Sequence, residues 1–149
     1  MSAPQIVSLS DRPDLIAVVG RWHWDEWGHE DPAGSVERWT DDVRRRAERT
    51  WAAVVGDEPA GSVTLSDDVS PRHPDYRPRL AFLYVAPEQR AAGIGSALTA
   101  HCEAAAAALG VRVLHLYTTI EEYYARRGWH VVERARDVAV MAKALAPPR

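Results

Sequence analysis

The apolar residues in the first third of the chain follow the period of one short strand and then of two amphipathic helices. Residues 5–9 form an apolar run of strand length. The face of a first helix follows at helical spacing and comprises Leu15, Ile16, Val19 and Trp22. Asp11 is expected to cap this helix, which should end near Trp27. A second helix should begin after Ser35, because serine is a favoured cap residue.

Short apolar runs separated by turn residues predict strands in the middle of the chain. Residues 50–55 and 60–65 are two such runs, and the Gly-Asp-Glu-Pro segment at 56–59 is typical of a hairpin turn. A further strand is predicted at 79–85. The loop before it should lack regular structure because of its prolines, which are Pro71, Pro74 and Pro78.

The last third alternates between helix and strand patterns. A turn with Gly93 and Gly95 opens a long helix, and Gly110 is its stop signal. Beyond it the pattern predicts a strand at 111–117, a short helix at 120–127 and a hairpin of strands at 130–135 and 138–144. The order β-α-α-β-β-β-α-β-α-β-β predicts an α/β (α+β) fold with a mixed sheet and helices on its faces, in one domain over residues 1–149.

Composition and charge narrow the class of protein. The chain has 149 residues, 46% of them hydrophobic, and a formal net charge of -3. That charge argues against a nucleic-acid partner, which usually requires a basic surplus. One cysteine excludes an intramolecular disulfide, and no secretory signal or membrane-spanning run is visible. We therefore expect a cytoplasmic protein without a membrane partner.

The segment Arg-Ala-Ala-Gly-Ile-Gly at residues 90–95 lies between a predicted strand and a predicted helix. Unpaired N–H groups at a helix start, with glycines that allow close approach, can hold a phosphate group. A Walker loop would need a lysine after Gly95, and a Rossmann fingerprint would need a small residue at Leu98. Neither feature is present. Two interpretations therefore stay open: a loop that binds pyrophosphate without being a Walker or Rossmann motif, and a tight turn without a ligand.

Two motifs resemble those of one family. The run LYVAPEQRAAGIGSAL at residues 83–98 resembles the acetyl-CoA signature of the GNAT superfamily of N-acetyltransferases, whose core is Gln/Arg-x-x-Gly-x-Gly/Ala. Downstream, the run YYARRGW at 123–129 resembles the family's aromatic-Tyr-x-x-x-Gly-aromatic segment. The spacing of the motifs and the predicted element order also fit. The resemblance implies a mostly antiparallel sheet of about seven strands, with four helices, splayed between the fourth and fifth strands.

The resemblance also implies how the chain would bind acetyl-CoA, with no metal. Backbone N–H groups from Gln89 to Gly95 would hold the pyrophosphate, and the strand ending at Val85 would pair with the pantetheine arm. The Val85 N–H would polarise the thioester carbonyl. Ala91 departs from the family pattern, which usually has glycine there. The residues implied to contact the coenzyme are Leu83, Tyr84, Val85, Gln89, Arg90, Ala91, Ala92, Gly93, Ile94, Gly95, Ser96, Thr119 and Tyr124.

The chemistry of amine acetylation needs a proton donor and a proton acceptor. An alkylammonium with a pKa near 10 must lose a proton before attack, and the coenzyme thiolate must gain one. The resemblance assigns Tyr124 as the general acid, although an aromatic core role is the alternative. Glu26 is the candidate base, beside His29 and Glu30, and a water chain or plain surface roles are alternatives. Cys102 is expected to be a small buried apolar residue.

The predicted function is transfer of an acetyl group from acetyl-CoA to a primary amine by direct attack. An acyl-CoA-binding sensor or interaction module without turnover is the alternative, and a dinucleotide-dependent enzyme fits less well. The acceptor would be a small-molecule or peptide amine. Acidic residues concentrate in the two loops expected around it, where they would attract a cation. A homodimer is left open.

Overall fold

The computed structural model describes residues 3–147 and contains, within that range, seven strands and four α-helices. Three single-turn 3₁₀ helices flank the first two α-helices, and a fourth follows the fourth strand. In chain order the elements are β1 (Gln5–Ser8), α1 (Ile16–Trp27), α2 (Val36–Arg45), β2 (Thr50–Val55), β3 (Glu58–Ser66), β4 (Arg79–Val85), α3 (Ile94–Ala108), β5 (Val113–Thr118), α4 (Glu121–Ala125), β6 (His130–Ala135) and β7 (Val138–Ala144).

The strands form two hydrogen-bonded sheets, in the orders β1-β2-β3-β4 and β5-β7-β6. The ladders β1/β2, β2/β3, β5/β7 and β6/β7 are antiparallel. The predicted break between the fourth and fifth strands is confirmed, because β4 and β5 belong to different sheets. Between residues 3 and 147, no helix is both long and apolar enough to cross a membrane.

Contacts divide the chain into two compact units, which are described separately. Of the described residues, the first contains 3–64 together with Phe82–Thr99, and the second contains Leu65–Ala81 together with 100–147. In the first unit, α1 packs against α2 over a buried cluster of Leu9, Leu15, Ile16, Val19, Val43, Ala52 and Val54.

The beginnings of the first two helices differ in how they are capped. Ser35 caps α2 as predicted, because its Oγ accepts a hydrogen bond from the Arg38 N–H at 3.1 Å. The prediction that Asp11 caps the first helix is wrong. The Asp11 N–H instead donates to the Ser8 carbonyl, and a 3₁₀ turn at Pro13–Leu15 leads into α1. Pro13 in that turn has no N–H, so it cannot donate a hydrogen bond to a capping side chain.

The second unit contains a three-stranded sheet with two different faces. Leu114 pairs with Lys143, whose Nζ donates to Glu103 of α3 at 2.7 Å, so this face lies towards α3. Because side chains alternate along a strand, His115 and Tyr117 belong to the opposite face. By register that face, called the outer face below, comprises His115, Tyr117, His130, Glu133, Val140 and Ala142.

Two helix ends in the second unit have the same capping geometry. After α3, the Gly110 N–H donates to Ala107 and the Val111 N–H donates to Ala106, while Gly110 has φ +89°. These are the two bonds of a Schellman motif. Val111 is therefore part of the cap, and β5 begins at Val113 instead of at the predicted residue 111.

Candidate functional site

The loop between β4 and α3 is bent by two residues with left-handed backbone conformation. After a 3₁₀ turn at Pro87–Gln89, Ala91 has φ +67° and Gly93 has φ +80°. Glycine adopts this region without penalty, whereas an L-residue with a Cβ is strained there. The departure at Ala91 therefore places a strained residue where the family usually has glycine.

This loop presents a row of unpaired backbone donors. The Gln89 N–H donates to the Ala86 carbonyl at 2.8 Å, and the Arg90 N–H donates to the Pro87 carbonyl at 3.4 Å. In contrast, the five N–H groups from Ala91 to Gly95 have no acceptor among residues 3–147. They lie at the start of the 15-residue helix α3, where the helix dipole favours negative charge. The loop can hold an anion of the size of a phosphate group.

The Arg90 side chain lies against the end of β4. Its Nε donates to the Val85 carbonyl at 2.9 Å, and its guanidinium lies 5.9 Å from the centre of the Tyr84 ring. The Tyr84 ring also packs against the Trp22 ring, at 5.2 Å between ring centres. A positive charge is thereby held next to the loop.

We expect the Ala91→Gly substitution to stabilise the protein by about 0.5–1 kcal/mol, which corresponds to a rise in Tm of about 2 °C. The gain from relieving the left-handed Ala91 exceeds the entropy that glycine adds to the unfolded chain. The change in Tm is measured by thermal unfolding of wild type and variant. Ala92→Gly is the matched control, since Ala92 has no positive φ and should lose stability. A lower Tm for Ala91→Gly would contradict the strain.

A second strained residue lies within β4. Phe82 has φ +55°, which is uncommon for a bulky residue inside a strand. Its ring is held by stacking on His23 at 4.9 Å, by the edge of Trp27 at 5.4 Å and by the Arg46 guanidinium at 5.4 Å. This aromatic packing within the first unit maintains the irregular strand just before the residues implied to pair with the coenzyme.

The close approach of β3 to β4 depends on Gly61. A Cβ at this position would lie 2.6 Å from the Tyr84 carbonyl oxygen, a backbone atom that cannot move aside easily. A side chain at residue 61 would therefore displace the strand that carries Tyr84 and Val85.

His23 is buried within the same aromatic cluster. Its side chain is 1% exposed, and burial, assisted by the Arg46 charge, lowers its pKa to about 3. The imidazole is therefore neutral, and its Nε2 has no hydrogen-bond partner among the described residues. Sequence reasoning missed both His23 and Phe82, whose contact joins positions far apart in the chain.

The acidic end of α1 is open to solvent. Glu26, the candidate base, is exposed and has no hydrogen bond or ion pair with a residue between 3 and 147. His29 and Glu30 are also exposed, and His29 lies against Trp24 at 4.5 Å between ring centres. A catalytic role for Glu26 stays a prediction.

Tyr124 is held by the capping geometry at the end of α4. The Trp129 N–H donates to the Tyr124 carbonyl and the Gly128 N–H donates to Ala125, with Gly128 at φ +91°. This is again a Schellman motif, which explains the glycine and the aromatic residue of the Tyr-x-x-x-Gly-aromatic segment. The Trp129 ring packs 6.0 Å from the Tyr124 ring, and its Nε1 donates to Glu103 at 3.2 Å.

The Tyr124 hydroxyl can serve as a proton donor. Its ring is buried, and burial, with the neighbouring Tyr123 and Cys102, raises the pKa of the hydroxyl well above its usual value. It therefore stays protonated at neutral pH, and no residue between 3 and 147 hydrogen-bonds it. Cys102 is fully buried and burial raises its pKa to about 12, so it remains a neutral thiol.

The outer face of the second unit carries polar groups that sequence reasoning did not connect. His73, from the loop before β4, bonds Glu133 of β6 through Nε2 and Oε2 at 2.8 Å. The Tyr117 hydroxyl donates to Ser70 Oγ at 2.8 Å. The two partners in each pair are far apart in the chain, so no local pattern could have indicated them. In the described part of the chain, no three His, Cys, Asp or Glu side chains are grouped to hold a metal ion.

Two antiparallel sheets, of four and three strands, with four α-helices between residues 3 and 147, match solved acetyltransferase structures. The sequence model of the acetyltransferase (GNAT) family matches residues 16–130, and the chain belongs to that family. The resemblance carried by the two motifs is thus confirmed, and the chain is placed among the acyltransferases. Comparison with curated proteins found no match.

Solved structures confirm the fold. An aminoglycoside 6'-acetyltransferase type Ii has a TM-score of 0.73 at 22% identity, with 97% of this chain and 99% of that chain covered. The N-acetylglutamate synthase from Neisseria gonorrhoeae, complexed with coenzyme A and N-acetyl-glutamate, has a TM-score of 0.71 at 16% identity. The alignment covers 98% of this chain but only 36% of that longer one. The PaiA N-acetyltransferase from Thermoplasma acidophilum, in complex with coenzyme A, has a TM-score of 0.63 at 19% identity, with 95% and 99% covered. At these identities the likeness establishes the fold alone.

Proposed function

We propose that this protein is an acetyl-CoA-dependent N-acetyltransferase that acetylates a primary amine by direct attack, with Tyr124 as the general acid. The observation that carries the proposal is the row of unpaired N–H groups from Ala91 to Gly95 at the start of α3. A pyrophosphate is the part of coenzyme A that such a row would bind. We propose the cytoplasm as its location, which the single cysteine supports.

The edge of β4 suits the pantetheine arm. β4 is the last strand of its sheet, so one side of its backbone faces no neighbouring strand in that sheet. The Ala86 N–H donates to Ala60 of β3 at 2.8 Å. Because successive residues direct their backbone groups to opposite sides, the Val85 N–H lies on the open side. There it can donate to the thioester carbonyl and stabilise the charge that develops on that oxygen.

Tyr124 supplies the proton that the leaving thiolate needs. In the proposed step the amine lone pair attacks the thioester carbon, the carbon–sulfur bond breaks, and the sulfur takes the hydroxyl proton. The proton that the acylated nitrogen then loses restores the Tyr124 hydroxyl. The raised pKa keeps the hydroxyl protonated at neutral pH, so its proton is in place when the carbon–sulfur bond breaks. An acyl-CoA-binding module without turnover would use the same cradle but has no need of this hydroxyl.

We expect acetyl-CoA to stabilise the protein by about 2.7 kcal/mol at 100 times its Kd, which corresponds to a rise in Tm of about 5–10 °C. A thermal-shift series with acetyl-CoA, ATP and NAD measures this. A panel of primary amines, including aminoglycosides, polyamines and peptide N-termini, then follows release of free coenzyme thiol. Stabilisation by ATP or NAD but not by acetyl-CoA would contradict the cradle assignment. Binding without thiol release from any amine would favour the sensor module.

A further inference from the structure

A lysine, a glutamate and a tryptophan of the second unit are joined by hydrogen bonds. Lys143 Nζ of β7 donates to Glu103 Oε1 of α3 at 2.7 Å, and Trp129 Nε1 donates to Glu103 Oε2 at 3.2 Å. The Glu103 and Lys143 side chains are only 17% and 27% exposed, and Trp129 is buried. A pair that is partly withdrawn from water is screened less than an exposed ion pair. The three side chains therefore form one connected network.

Lys143, the only lysine in the sequence, also holds the turn that follows α4. Its Nζ donates to the Arg127 carbonyl at 2.9 Å. Gly128 comes next, and a Cβ there would lie 3.4 Å from Lys143 Cε, so the lysine stem packs directly on the glycine of the Schellman motif. A compact ammonium with three donors can bond a carboxylate and a carbonyl at the same time. Lys143 thereby links α3 to the end of α4.

The position of the Tyr124 side chain depends on this network. No described residue hydrogen-bonds the Tyr124 hydroxyl, so no polar contact of that side chain fixes the proton donor. Instead, the Trp129 N–H donates to the Tyr124 carbonyl at 3.2 Å, and the rings of Trp129 and Tyr123 pack edge-on, at 6.0 and 5.1 Å between centres. Trp129 is in turn held by Glu103, and Glu103 by Lys143.

We propose that Lys143 and Glu103 are positioning residues for the proton transfer from Tyr124. The inference rests on the proposed function, in which the Tyr124 hydroxyl gives its proton to the coenzyme sulfur. Removing the Lys143 ammonium would leave the partly buried Glu103 carboxylate without its cation and would break the bond to the turn after α4. The Trp129 ring would then hold Tyr124 less precisely. Misplacing a catalytic group by about 1 Å can cost about 10²-fold in rate.

The test is a double-mutant cycle between Lys143→Met and Tyr124→Phe, with kcat measured at saturating acetyl-CoA and acceptor, well below Tm. Methionine keeps an apolar stem and removes the ammonium. With Tyr124 present, Lys143→Met should lower kcat by about tenfold, because the proton donor is misplaced. With Tyr124→Phe no donor remains to be misplaced, so Lys143→Met should lower kcat no further.

Stability and coenzyme affinity are measured on the same proteins. Lys143→Met should lower Tm by a similar amount in both backgrounds, so lost stability by itself cannot produce the difference in kcat. The Kd of acetyl-CoA should stay near that of wild type, because the loop at residues 91–95 shares no residue with this network. Glu103→Gln keeps the shape of the side chain without its charge and should lower kcat in the same background-dependent way. If Lys143→Met does not fold, the cycle with Glu103→Gln decides.

Glu133→Gln is the matched control, because Glu133 also bonds two nitrogen donors, those of Arg72 and His73, but lies on the outer face. It should leave kcat unchanged.

If Tyr124→Phe loses rate but Lys143→Met causes the same loss in both backgrounds, or none in either, the pair is purely structural and the proposal is overturned. A similar loss in Glu133→Gln would also overturn it, since any lost ion pair would then have this effect. Unchanged kcat in Tyr124→Phe would refute Tyr124 as the acid and this inference with it. A wild type that acetylates no amine would refute the proposed function itself.

Discussion

Replacing Tyr124 by phenylalanine should lower kcat by about 10²- to 10⁴-fold, with the lower end expected because a thiolate can also leave unassisted. Phenylalanine retains the ring that packs against Trp129 and removes only the proton donor. Since no described residue hydrogen-bonds the hydroxyl, its loss should leave Tm and acetyl-CoA affinity near those of wild type. One preparation serves for kcat, affinity and Tm.

The pH profile and a neighbouring tyrosine provide the controls for Tyr124. Because burial raises the pKa of the Tyr124 hydroxyl above the usual 10.0, wild-type kcat should not decline through loss of the acid at any pH below about 10. Tyr123→Phe should keep wild-type kcat, since that ring packs under the Arg127 guanidinium at 3.6 Å. Unchanged kcat for Tyr124→Phe with saturating acceptor would exclude it as the acid. Lost stability without a specific loss of rate would favour the core role.

Substituting valine for Gly93 should weaken acetyl-CoA binding by about 10²-fold. Gly93 has φ +80°, which a β-branched residue cannot adopt without strain, so the loop must change its backbone path. The N–H groups from Ala91 to Gly95 would then no longer converge on one anion. Losing one or two hydrogen bonds to a charged group is worth about 3 kcal/mol, which corresponds to about 10²-fold in Kd. Titration calorimetry gives the Kd directly.

Gly56 provides a matched control for the strain itself. It has φ +62° in the turn between β2 and β3, and a Cβ there would meet no atom within 4 Å, as is also true at Gly93. Gly56→Val should therefore lower Tm by a similar amount but leave acetyl-CoA affinity unchanged. Wild-type affinity in a folded Gly93→Val protein would refute the cradle. Equal losses of affinity in both variants would mean that binding depends only on global stability.

Much of the fold was predictable because its signals are local. Strands β2, β4, β6 and β7 have the predicted bounds, since apolar runs between turn residues identify strands without reference to the rest of the chain. The wrong predictions concern the ends of helices and strands, where two local conformational preferences compete. The Schellman motif after α3 takes Val111 into the cap, and the 3₁₀ turn before α1 makes a cap at Asp11 unnecessary.

By itself the sequence determined the family, the position of the glycine-containing loop before α3 and the place of Tyr124 in its motif. Each of these depends on glycines and neighbours within a few residues, so local conformational preference is sufficient. Only the tertiary structure decided that Phe82 is strained against His23 and that His73 bonds Glu133, 60 residues further along the chain. Such contacts are made when sheet register and loop packing bring distant residues together. That register is set by burial of the whole apolar face and not by any short segment.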